Sequence, residues 1–217
     1  NNSLAIWRPY SDVNCLRLDA GTFLSDFNVK NINDTISLDK IFEIDSPQTK
    51  LLPDQEYNYV QVPYFSETNG ALLKIDRVKG NKIKSQKLNK IDSGCIYFTR
   101  INPKQRRIGI VPKLNEPIFV SNEVYRLKWK RNDYLKKECQ YAIIPFLRSN
   151  IMTQKISLLS TGSSSSRARL DINSLKKLRI PIDVIQKINK DEMKSQFLNK
   201  KANDLFVALS DYNKLFD

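Results

Sequence analysis

The stretch Thr161–Ile182 reads TGSSSSRARLDINSLKKLRIPI. Gly162 followed by Ser163–Ser166 predicts a loop with little side-chain bulk and many hydroxyls. Arg167 and Arg169 put two cations where that loop ends. Asp171, followed by Leu175 and Leu178 at helical spacing, predicts an N-cap and a short helix that stops before Ile180-Pro181-Ile182. Hydroxyls, guanidiniums and a helix N-terminus all donate hydrogen bonds to phosphate oxygens, so the stretch predicts a polyanion contact.

Upstream, β-signals dominate from Tyr57 to Trp129: Tyr57–Phe65, Ile96–Ile101, Ile108–Val111, Ile118–Val120 and Val124–Trp129, separated by Gly, Pro and Asn turns. In the last of these, Tyr125, Leu127 and Trp129 alternate with Arg126, Lys128 and Lys130. That period of two predicts a half-buried strand with a row of cations facing out. Residues 1–56 read as a loop-rich opening with one short helix. Asn132 or Asp133 is expected to cap a helix running through Cys139 towards Ile144, and Pro145 suits the start of the next one, completed by Phe146, Leu147, Ile151 and Gln154–Leu158.

Downstream, Asn189 with Glu192 reads as an N-cap with its capping-box partner. Leu198, Ala202, Leu205, Leu209, Tyr212 and Phe216 then recur with a 3.5-residue period. That spacing fits a coiled-coil seam, or a helix docked on its own domain. The expected architecture is α+β: a small twisted mixed or antiparallel sheet with packed helices over residues 1–182, then a protruding coiled-coil-type helix over 183–217.

Charge is unevenly placed. The net charge is +13, yet residues 1–73 carry 5 basic against 10 acidic side chains, while residues 74–182 carry 25 against 7. Concentrating the excess in one segment favours a polyanion partner over ordinary solvated lysines. Lys79, Lys82, Lys84, Lys104, Lys128 and Lys130 are the candidate phosphate contacts. Arg100, Arg106, Arg107, Arg126, Arg167 and Arg169 are candidates for base or bidentate contacts, because the guanidinium fork matches guanine O6 and N7. Ser163 and Ser164 either donate to phosphate or belong to a flexible loop.

The chain has no histidine, which removes the commonest general base and the Ser/His and Cys/His nucleophile pairs. Cys15, Cys95 and Cys139 are too scattered for a zinc site and read as reduced core thiols of a cytoplasmic protein. Val62-Pro63-Tyr64-Phe65 lacks the Asn/Asp-Pro of an amino-methyltransferase motif and reads as strand. Asp183 with Glu192-Met193-Lys194, and Pro53-Asp54, are weak imitations of a nuclease centre. No metal, cofactor or membrane span is expected. Residue 1 is Asn rather than Met, so a piece of a longer protein is expected.

In chain order, several segments resemble the target-recognition domain of a type I restriction–modification specificity subunit. Arg17-Leu18-Asp19-Ala20 with Phe23 resembles that family's R-x-D-A…F opening. Tyr57–Val62 with Asn69-Gly70 resembles its Y-x-Y-I-x-V…G strand. Asp92-Ser93-Gly94-Cys95-Ile96 through Arg100 resembles its G-D-I strand, and Val120-Ser121 its V-S step. The Gly/Ser loop, short helix and Ile180-Pro181 step resemble the lead into its spacer helix. Asp183 stands where the family has a second proline, and Ile185-Gln186 where it has Glu-Gln.

The resemblance implies a non-catalytic module that reads half of a split duplex DNA target. It also implies docking to methyltransferase and restriction subunits that carry the chemistry, and pairing through a long helix. One recognition domain with one helix is half of the usual complement, which fits a fragment, a half-length subunit that dimerises, or the recognition part of a fused restriction–modification enzyme. The other readings are a non-specific RNA or single-stranded DNA binder, an enzyme fragment, and a module that meets an acidic protein.

Overall fold

The run Cys95-Ile96-Tyr97-Phe98 has no polar side, and the fold buries it on both faces. A computed structural model describes residues 34–162, 164 and 167–214, with side chains as far as Asp211. Cys15, Arg17–Ala20, Phe23 and Ser163, and the side chains of Tyr212 and Phe216, lie outside the described residues. The strands are β1 (Thr35–Ser37), β2 (Phe42–Asp45), β3 (Gln48–Lys50), β4 (Glu56–Val60), β5 (Asp76–Lys79), β6 (Lys87–Ile91), β7 (Ile96–Thr99), β8 (Ile108–Ile110), β9 (Ile118–Val120), β10 (Val124–Trp129) and β11 (Arg179–Pro181). The helices are α1 (Ile144–Leu147), α2 (Asn150–Leu159), α3 (Ile172–Lys176), α4 (Ile182–Ile188) and α5 (Glu192–Lys214).

The class is α+β, as expected, but the strands form three sheets. An antiparallel four-stranded sheet has the order β2-β10-β7-β8, and a five-stranded sheet has the order β3-β6-β9-β4-β5, with β4 and β9 parallel. A small ribbon pairs β1 with β11. The four-stranded sheet is the middle layer. Ile96, Phe98, Tyr125 and Leu127 on one face pack with Ile143, Leu147, Ile156 and Leu175 of the helical side. Cys95, Tyr97 and Val124 on the other face meet Val60, Ile91, Ile118 and Val120 of the five-stranded sheet.

Residues 34–56 are not a loop-rich opening: they supply β1, β2 and β3, which find partners far along the chain. The expected strand Tyr57–Phe65 stops at Val60, and a 3-10 turn follows at Val62–Tyr64, where Pro63 offers no N–H to a ladder. The expected helix through Cys139 is a 3-10 segment, Lys137–Ile143. Asn132 Oδ1 does accept the N–H groups of Tyr134 and Leu135, at 2.9 and 2.8 Å.

Two expectations about the last helix change. Asp191 caps it, its Oδ1 accepting the Lys194 N–H at 3.1 Å. Asn189 serves another segment: its Oδ1 accepts from Lys136 N at 2.9 Å and its Nδ2 donates to Tyr134 O at 2.6 Å. The start of α5 also docks on the chain's own core. Ser195 is fully buried, Leu198 and Ala202 pack against the helical-side cluster, and Phe206 packs against the inter-sheet cluster.

Asn203 Oδ1 holds the Lys113 N–H at 2.5 Å. Leu198 and Ala202, expected in a seam with a partner helix, are therefore used within the domain, while Leu205 and Leu209 stay half-buried. Periods of 3.5 and 3.6 residues diverge too little over two heptads to separate these outcomes. No described core cluster includes a residue beyond Phe206, and the helix runs on to Lys214. Ile185 and Ile188 of α4 lie in the same core, so packing is continuous across residue 182. No helix among the described residues is long and apolar enough to cross a membrane.

Candidate nucleic-acid interface

Backbone geometry brings two loops together at one end of the four-stranded sheet. After β7, Pro103–Gln105 forms a 3-10 turn bracketed by Asn102 and Arg106, both left-handed at φ 46° and 51°. The hydroxyl-rich loop is closed at its neck by Thr161 and Arg169, which exchange N–H···O bonds of 2.9 and 2.8 Å. Asn102 N donates to Ala168 O and Leu170 N to Arg100 O, each at 2.9 Å, which zips the two loops together. Gly162 is required here: at φ 143°, a Cβ would lie 2.5 Å from Arg167 O.

The six candidate arginines divide sharply. Arg126 is not part of an outward row. It forms a fork with Asp45, at 2.9 and 2.6 Å, and reaches Asp92 at 3.4 Å, with its side chain 13% exposed. The Asp45 hydrogen bonds raise the guanidinium pKa further above its ordinary value, so it stays charged. Arg107 is bound to Phe65 O at 3.0 Å, to Glu67 at 2.7 Å and to Gln105.

Arg100 and Arg169 share Glu123. Arg169 Nε approaches it at 2.9 Å and Arg100 Nε at 3.6 Å, while the Arg100 guanidinium lies over the Tyr125 ring. These four arginines hold the frame. Arg106 and Arg167 remain outward: Arg106 donates to the neutral Asn150 Oδ1 at 2.6 Å, and Arg167 is exposed. With exposed Lys104 and Ser164 they form the cationic rim of the two loops.

The helix N-terminus expected to assist is already occupied. Asp171 Oδ1 accepts the N–H groups of Asn173 and Ser174, at 2.9 and 3.0 Å, so the cap places a carboxylate where a phosphate would need donors. The remaining candidates lie elsewhere. Lys79, Lys82 and Lys84 sit at and after β5, and Lys128 and Lys130 at the end of β10, all exposed.

Tyr97, Phe98 and Tyr125 are buried, and Trp129 donates its indole N–H to Leu135 O at 3.0 Å, so none is an open stacking platform. Sequence reasoning missed Arg148, which donates to Arg106 O, to Ile108 O at 3.3 Å and to Glu67 O at 2.9 Å. It is a half-buried cation with carbonyl partners, and desolvation lowers its pKa. By holding the Arg106 carbonyl it fixes the left-handed turn. Nothing in its apolar sequence neighbourhood marks that role.

The layered α+β frame is similar to that of solved chains from type I restriction–modification systems. One similar structure is of a type I R-M system, solved for its complex assembly and conformational transition, with a TM-score of 0.58 at 16% identity over 75% of this chain and 42% of that one. Another is the HsdS subunit from Thermoanaerobacter tengcongensis, with a TM-score of 0.56 at 17% identity over 72% of this chain and 40% of that one. The chain thus spans about two fifths of the length of the solved chains it matches. No protein-family model and no curated protein matches it.

Proposed function

We propose that this chain is a target-recognition part of a type I restriction–modification specificity subunit, reading duplex DNA without doing chemistry itself. The observation that carries the proposal is the pair of zipped loops presenting Lys104, Arg106, Ser164 and Arg167 on a frame shared with such subunits. Lysines would supply salt-sensitive phosphate affinity, and Arg106 or Arg167 would read a base edge. Residues 1–182 would form the recognition domain. Residues 183–217 would form the helix that meets a partner helix or a second copy, and methyltransferase and restriction subunits would supply catalysis.

The test is selection from a randomised duplex pool at low and moderate salt. A short enriched motif that persists at moderate salt is expected. Replacing Arg106 by alanine should then relax one position of that motif, at a loss of about 1–3 kcal/mol for the preferred base. Sequence-blind binding, or none, would overturn the proposal.

A further inference from the structure

A ribbon of two connections along the five-stranded sheet carries an unbalanced positive charge that the loop rim does not use. Two connections, 51–55 from β3 to β4 and 80–86 from β5 to β6, each run between opposite ends of the five-stranded sheet and lie side by side. They are tied by Leu51 N to Gln86 O at 3.0 Å, and by Gly80 N to Gln55 O and Asn81 N to Pro53 O, both at 2.9 Å. Gly80 sits so close to Leu52 O that a Cβ would fall 2.2 Å from it, so the two connections form one fixed platform.

Lys50, Lys79, Lys82, Lys84 and Lys87 are all exposed on it, and among the described residues none is in an ion pair. The register places Lys50 directly opposite Lys87 across the β3–β6 pair. Like charges at such positions repel and destabilise the sheet. Asp54, Glu56 and Asp76 are the acidic side chains nearby in sequence; Glu56 is engaged by Arg77 and Asp76 by Lys74.

The geometry points to this ribbon, with its Lys50–Lys87 pair, as a second, sequence-blind contact for the phosphate backbone of duplex DNA, separate from the loops that read bases. An opposed pair of unpartnered ammonium groups is relieved when phosphates bind between them. Residues 50–55 and 79–87 contain no aromatic side chain, which leaves nothing to stack the bases of a single strand. The inference takes from the proposal above that the polyanion is a duplex.

The test compares the full chain with K50Q/K87Q and with K87E, using a mixed-sequence duplex at several salt concentrations and the randomised pool in parallel. The double variant should lower the slope of log affinity against log salt by about 2, because each phosphate contact contributes about 0.9, and the selected motif should not change. K87E should raise the thermal midpoint by about 1–3 °C, since it turns a cross-strand repulsion into an attraction, while weakening duplex binding.

An unchanged slope beside a normal motif would overturn the ribbon contact and leave the recognition proposal standing. A lowered slope without any motif would uphold the contact and remove the recognition proposal. Absence of duplex binding at low salt would remove both. Loss of binding to an acidic protein, with the duplex slope unaltered, would reassign the platform to a protein partner and overturn the inference.

Discussion

At the scale of single residues, the basic side chains sort by what already surrounds them. A guanidinium held by carboxylates and carbonyls is structural, whatever its position in a basic run. Arg126→Met should therefore lower stability by about 1–3 kcal/mol in urea denaturation while leaving the salt dependence of duplex binding unchanged. Lost affinity at full stability would show that Arg126 is a contact residue after all. Asp171 makes a second prediction. Burial pushes its carboxyl pKa up from the ordinary 3.8, but hydrogen bonds from the Ser174 side chain and from the N–H groups of Ser174 and Asn173 bring it below that value. A depressed folded pKa gives stability that is full above the unfolded value and is lost as pH falls through the folded one. Asp171→Asn should flatten the acid limb of a stability profile taken between about pH 5 and about pH 2. An identical limb in the variant would refute the assignment.

At the scale of elements, α5 has two roles that its period does not separate. Its first turns are part of the domain through Ser195, Leu198, Ala202 and Phe206, and the opposite side shows Met193, Phe197 and Val207, exposed at 83%, 57% and 57%. Leu198→Asp should destabilise the fold by about 2–4 kcal/mol, because it puts a charge against the helical-side core. Phe197→Asp, on the exposed side, should stay within about 0.5 kcal/mol. Circular-dichroism melts decide this, and equal effects would mean the docked face has been misidentified.

At the scale of the whole molecule, the middle sheet is shared by two cores. Neither the helical side nor the five-stranded sheet keeps a complete apolar interface without it. Asn89 reinforces the junction from within the sheet pair, its buried Nδ2 donating to Ser46 Oγ at 2.6 Å and to Val124 O at 3.0 Å. Thermal unfolding of these layers in the full chain should accordingly be one cooperative transition, with calorimetric and van't Hoff enthalpies in agreement. Two separated transitions would show that the layers fold independently.

What the sequence determined by itself was local. The alternation in Val124–Trp129, the Asp171 cap, the bounds of Ile118–Val120 and the α+β class all follow from periodicity and side-chain chemistry within a few residues. The segmental charge asymmetry and the ordered family resemblance were legible in the same way. Tertiary structure decided the rest, because pairing partners lie far apart along the chain. Arg126 meets Asp45 across 81 residues, Arg169 meets Glu123 across 46, and Asn189 meets Lys136 across 53. A spacing rule has no access to such separations. For the same reason only the fold could divide the basic residues into those that hold the frame, those that rim the loops and those that face one another across a strand pair.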